Sequence, residues 1–194
     1  MGSFPLSVWK KMKTIFLALL FMSLNVSAKK VGDTKIPDSF TCEGSELALQ
    51  GSALRTATFF KIKVYVVALY ATAPISSLSA PEVKLRPQCY VINYLRDFDN
   101  EDVDKAWEFQ FSESSEFPYP DLKAHVSQLK DYFGEIKGER QHIFALNSKS
   151  TRLFENGVLK GEISGEEFQK NFISIWYGKN PPTPEVKSGL SSKP

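Results

Sequence analysis

Alternation of apolar and polar residues is clearest over residues 58–70 (TFFKIKVYVVALY). One face of that stretch carries Phe60, Ile62, Val64, Val66, Ala68 and Tyr70; the other carries Phe59, Lys61, Lys63, Tyr65, Val67 and Leu69. The first face is wholly apolar and is expected in the core. The second is mixed, which suits a partly solvated face or the wall of a cleft. Residues 88–95 (QCYVINYL) predict a second strong strand, and residues 141–146 a third. Before them, residues 40–42 and 47–49 read as strands around a Glu43-Gly44-Ser45 turn, and residues 50–53 read as an interruption. Asn156-Gly157 predicts a two-residue hairpin turn between residues 151–154 and 158–163.

Helical periodicity appears in three places. Asp99 or Asn100 caps a helix running to about residue 115, with acids at 101, 102 and 104 in its first turn. Residues 121–134 place Leu122, Val126, Leu129 and Phe133 on one stripe, and residues 165–177 turn Phe168, Phe172, Ile175 and Trp176 inward. Residues 73–81 read as a short helical or turn segment, and the residues after Pro184 as a tail, flexible from about 188. Strands, a helix pair, strands and a helix are not the alternation of a doubly wound fold. They predict an α+β domain with helices packed on a mostly antiparallel sheet.

The N-terminus changes what the net charge means. Lys10, Lys11 and Lys13 precede the apolar run 15–24, and Val26-Ser27-Ala28 puts small residues at a cleavage site, so residues 1–28 read as a secretory signal. The apolar run is too short to span a bilayer, which needs about twenty residues. Translation can start at Met1 or at Met12. The signal holds three lysines and no acid, so removing it takes the formal charge from +2 to −1. Residues 29–194 are then the working domain, periplasmic or secreted, without a stable membrane anchor. Its charge gives no ground for nucleic acid or an anionic membrane as a partner. Cys42 and Cys89 lack the spacing of a redox pair or a zinc site. After export they form one disulfide or stay two buried thiols; the spacing leaves both open.

Most catalytic signatures are missing: there is no GxGxxG, P-loop, HExxH or GxSxG. The two histidines, His125 and His142, fall within a helix pattern and a strand, where satisfied structural roles are expected. The acidic run 97–104 lacks the glycine of a calcium loop and reads better as a helix start. No cofactor and no metal are expected.

Gly51-Ser52-Ala53-Leu54-Arg55, followed by the strand ending in Lys63-Val64-Tyr65-Val66-Val67-Ala68-Leu69-Tyr70, resembles the core motif of the chalcone isomerase-like family. Tyr94-Leu95-Arg96-Asp97, the Trp107 helix, Asn156-Gly157-Val158 and Ile175-Trp176-Tyr177-Gly178-Lys179 resemble counterparts in its exported bacterial branch. The similarity covers roughly residues 31–190. It implies an open-faced β-sandwich, with a large antiparallel sheet, a layer of helices and a cleft. In catalytic members the turn arginine binds substrate and stabilises the developing enolate; in fatty-acid binders the same arginine and a strand tyrosine hold the carboxylate.

Arg55 matches that arginine, and Tyr65 falls where catalytic members carry threonine and fatty-acid binders tyrosine. The catalytic enzymes add a tyrosine and an asparagine near the next helix start, where residues 99–106 hold Asn100 but no tyrosine. A polar residue of their last helix becomes Ile175 or a neighbour here. The resemblance therefore implies a monomer binding a small apolar ligand with a carboxylate head at Arg55 and Tyr65. The alternative is an isomerase (intramolecular lyase) closing a chalcone-like enone with the same two residues. A third is an envelope accessory protein that binds no ligand. On a straight strand, ten residues would hold Arg55 and Tyr65 about 33 Å apart, so their convergence demands a bend between residues 56 and 61.

Overall fold

The computed structural model describes residues 28–73, 87–114 and 117–191. The signal segment and the 73–81 segment lie outside them, apart from Ala28 and Ala73. Nine strands are described. β1 (Ala28–Val31) and β2 (Thr34–Pro37) form a separate hairpin. β3 (Ser39–Cys42), β4 (Ser45–Ala57), β5 (Ile62–Ala71), β6 (Gln88–Tyr94), β7 (Gln141–Leu146), β8 (Ser150–Glu155) and β9 (Val158–Ser164) form one seven-stranded sheet in chain order, every pairing antiparallel. Helices α1 (Asn100–Ser114) and α2 (Leu122–Asp131) are inserted between β6 and β7; α3 (Glu166–Tyr177) and α4 (Pro184–Ser191) follow the sheet. This is the α+β architecture expected from the pattern.

Local chemistry sets several boundaries. The Asp102 N–H donates to Asp99 Oδ1 at 2.9 Å, closing the first turn of α1 over two acids that suit its positive end. Asn156 and Gly157 both take positive φ, 48° and 83°, as the tight β8–β9 turn requires.

Two expectations change at β4. Residues 50–53 do not interrupt the strand; it runs through them with a bulge between Leu49 and Gly51. The stretch 58–70 is not one strand. Thr58 and Lys61, with φ of 63° and 55°, frame a turn closed by the Lys61 N–H on the Thr58 carbonyl at 3.2 Å. Phe60 and Ile62 therefore leave the core and stand exposed at a hairpin tip.

The sheet is buried on both faces. Toward the helices, Tyr90, Phe144, Leu153, Phe168, Phe172 and Trp176 form the larger core. On the other face, Ile36 of the β1–β2 hairpin packs with Leu47, Leu49, Val66, Ala68 and Tyr70, and the Tyr70 hydroxyl donates to the Pro37 carbonyl at 3.0 Å. Cys42 of β3 and Cys89 of β6 are joined by a disulfide with Cα atoms 6.5 Å apart. Three strand spacings of a flat sheet would separate them by about 14 Å, so the sheet curls, bringing its first strand over the middle.

Residues 188–191 are not a tail but the last turn of α4. α4 packs on β4 with Val186 and Leu190 buried. A Cβ on Gly51 would fall 2.4 Å from the Leu190 carbonyl oxygen, and one on Gly189 would fall 2.8 Å from the Ser52 carbonyl oxygen. Backbone touches backbone there, which only glycine permits.

Candidate functional site

The β4–β5 hairpin supplies the bend that brings Arg55 to Tyr65. The two residues are direct partners across the antiparallel pair, and a bulge follows Arg55. The Arg55 guanidinium carbon lies 5.6 Å from the Tyr65 ring centroid, within cation–π range. Arg55 lies within β4, two residues before its end, and not in the turn that the motif implies. Both side chains are half-buried and face the helices. No carboxylate among the described residues pairs with Arg55, so its five N–H donors have no anionic partner there.

From Tyr65 a row of side chains crosses the sheet, one strand at a time. Tyr65 pairs with Tyr94 of β6, their rings edge to face at 6.1 Å. The Tyr94 hydroxyl and His142 Nδ1 of β7 are 3.2 Å apart. His142 Nε2 lies 3.8 Å from Glu155 of β8, which also binds Arg140 and, at 3.1 Å, Lys160. Alternation explains the row: each member stands on the helix-facing side of its strand. Above it, Trp176 of α3 meets the Tyr65 ring at 6.4 Å and stacks on Tyr90 at 5.7 Å. The Tyr90 hydroxyl and the Trp176 indole N–H are buried without a hydrogen-bond partner among the described residues.

The electrostatics favour donors over bases around Arg55. Burial pushes the Tyr65 and Tyr94 phenols well above their ordinary range, with Arg55 partly opposing the shift at Tyr65. Both phenols therefore remain protonated donors at neutral pH. His142 is driven down to about 4, chiefly by burial, with Glu155 opposing. Burial also works against the charge of Glu155, but hydrogen bonds from Arg140 and Lys160 outweigh it and hold that carboxyl below its usual range.

Because folding depresses the His142 pKa, protons favour the unfolded chain. Its contribution to stability is complete above the unfolded value of about 6.5 and is lost as pH falls toward 4. Lowering the pH from 7 to 5 is expected to remove about 2 kcal/mol through this one group. Urea unfolding of the wild type and of His142→Gln at both pH values checks it; an equal pH dependence in the two would exclude His142 as the source.

The other predicted residues have structural partners. His125 Nδ1 lies 2.6 Å from the Tyr119 hydroxyl, and its ring meets Phe168. Asn100 opens α1 and is exposed. Ile175 is buried in α3. Tyr94 is the member that sequence reading missed. The resemblance places a second tyrosine after the helix cap, whereas Tyr94 is the last residue of the preceding strand. Its place in Tyr94-Leu95-Arg96-Asp97, directly before the acidic helix start, was the available signal. Among the described residues no group of three or more His, Cys, Asp and Glu is placed to hold a metal.

A groove of about 660 Å³ lies on the opposite face of the sheet, lined in part by Phe40, Cys42, Cys89, Ile143 and Phe154. Arg152 at this groove is ion-paired with Glu43. It therefore offers an incoming anion less than Arg55 does. No helix among the described residues is long and apolar enough to cross a membrane.

The fold is similar to that of a fatty-acid binding protein of Arabidopsis thaliana, at a TM-score of 0.70 and 12% identity over 85% of this chain and 96% of that one. No curated protein sequence matches the chain. The sequence does match the family model described as chalcone isomerase-like, over residues 28–190. With the curled sheet, the helix layer and that match, the chain belongs to the chalcone isomerase-like family.

Proposed function

We propose that this protein binds a small apolar molecule with an acidic head group, a fatty acid in the simplest case. The observation that carries this reading is Arg55: a half-buried guanidinium without a carboxylate partner among the described residues, set against a protonated phenol on an aromatic face. A guanidinium grips a carboxylate through two parallel hydrogen bonds, and Tyr65 can add a third donor. The tail would gain about 25 cal/mol per Å² of apolar surface that it buries beside the partly exposed Tyr65 ring. The fatty-acid binding named for the Arabidopsis neighbour supports the same ligand class. The apolar segment after Lys10–Lys13 and the disulfide support export to an oxidising compartment. We read the exported chain as a monomer.

The test is displacement of a fluorescent fatty acid by palmitate. Arg55→Ala is expected to weaken palmitate by about 1.5–3 kcal/mol, roughly 10- to 150-fold, and Tyr65→Phe by less, since one neutral donor is lost. Wild-type protein that binds no fatty acid, or an Arg55→Ala variant binding as tightly as wild type, sinks the reading.

The Tyr94–His142–Glu155 row favours one second reading, proton transfer in an isomerase. The alternative is separable by absorbance: chalcone is expected to persist in the presence of the protein. Turnover abolished by both Arg55→Ala and Tyr94→Phe would establish the isomerase instead.

A further inference from the structure

The most exposed large apolar side chains among the described residues are adjacent: Phe59 and Phe60, at 94% and 82% exposure. Their rings meet edge to face at 5.9 Å, so each packs on its neighbour at the tip. Ile62, 40% exposed, continues the patch. A flexible loop would scatter these side chains. Here the turn is closed by the Lys61-to-Thr58 hydrogen bond and stands on two long paired strands, so the rings project as a fixed unit.

The charges carried by the hairpin itself have one sign, with the acids Asp33 and Glu185 facing them from other elements. From Arg55 to Val66 the chain carries Arg55, Lys61 and Lys63 and no acid, although the chain from residue 29 onward is net negative. Lys63 reaches back to Asp33 at 2.7 Å, both remaining largely exposed, and Lys61 feels Glu185. Both contacts are solvent-exposed and therefore weak, so the lysines stay available to an anionic surface, while the two rings supply most of the affinity. Paired aromatics backed by lysines match the chemistry of a bilayer interface, where rings sit at headgroup depth and ammonium groups meet anionic lipid.

We propose that the β4–β5 hairpin tip docks on the interfacial region of an anionic lipid bilayer, with Phe59 and Phe60 inserted and Lys61 and Lys63 at the headgroups. Arg55 stands only two strand residues behind the tip, about 7 Å along β4, so docking brings the Arg55–Tyr65 end of the sheet to the lipid surface. The docking rests on the tip alone. That a fatty acid then moves between membrane and site rests on the function proposed above.

The experiment reads the tip directly, without added ligand. The full chain carries Phe59→Trp in a Trp9→Phe background, where Trp107 and Trp176 are buried and give a constant signal. It is mixed with 3:1 phosphatidylcholine–phosphatidylglycerol vesicles containing brominated lipid. The new indole is expected to shift to the blue and to be quenched. Phe60→Ser in the same background should reduce partitioning about tenfold. An unquenched indole at saturating lipid overturns the proposal, even if the chain itself is held on the vesicles. So does a lipid-free dimer, seen by sedimentation and abolished by Phe60→Ser, because a second copy would then be the occupant.

Discussion

Replacing Phe172 by alanine is expected to cost about 3–5 kcal/mol of folding stability. Phe172 is fully buried at the meeting point of the helix layer and the sheet. Its ring lies 4.6 Å from Phe144 of β7, 5.3 Å from Tyr90 of β6 and 6.1 Å from Trp176 one turn along α3. Trp107 of α1 stacks at 6.4 Å. Truncation removes the ring that these four share. The neighbours are rigid aromatics on different elements, so they cannot close the void together. Against a typical total of about 5–15 kcal/mol, that loss approaches unfolding. Thermal unfolding should move down by about 6–20 °C. Phe109→Ala is the control: the same residue type on α1 but 65% exposed, expected to change stability by no more than about 0.5 kcal/mol. A Phe172→Ala loss below about 1 kcal/mol would mean that the helix layer is not packed on the sheet through this ring.

The second large effect belongs to the disulfide. Cys42 and Cys89 are 47 residues apart in sequence. Closing a loop of that length restricts the unfolded chain by about 4 kcal/mol in the chain-entropy account. Both sulfurs lie in the apolar core beneath the β1–β2 hairpin, so the clean variant is Cys42→Ala with Cys89→Ala, which buries no hydroxyl. The double variant should unfold in guanidinium well before the oxidised wild type, and reduced wild type should follow the variant. Oxidised and reduced protein with the same midpoint would remove the bond from the account of stability.

The elements that could be read from sequence are those whose signal is local. The Asn156-Gly157 turn, the capped start at Asp99–Asn100 and the stripe of Phe168, Phe172 and Trp176 each follow from a few adjacent residues. The β4–β5 turn could not be read that way. Thr58, Phe59, Phe60 and Lys61 contain neither glycine nor proline, and the apolar pattern continues through them into β5. The reversal is held by pairing along two long strands, a tertiary preference that overrides turn propensity. That one misreading displaced Phe60 and Ile62 into the core and put Arg55 and Tyr65 at opposite ends of a rod. The transverse row from Tyr65 to Glu155 was illegible for a related reason. Its members are distant in sequence and become neighbours only through strand register. The C-terminal helix was hidden behind its prolines, and its contact with Gly51 is visible only in three dimensions.

The strictly sequential order of β3 to β9 has a consequence for synthesis. Each strand of the sheet finds its partner in the strand made just before it, so the meander can zip up as the chain emerges. The helix-facing side has no such timing. Tyr90 and Phe144 must wait for Phe172 and Trp176, which lie beyond residue 165 and arrive after every strand is complete. A nascent chain therefore passes through a stage with a finished sheet whose aromatic face is covered only by α1 and α2, and the remainder is the surface a holding chaperone would cover. A chain stopped before residue 166 would be arrested at that stage, with a formed sheet and the Tyr90 part of its aromatic face left unburied.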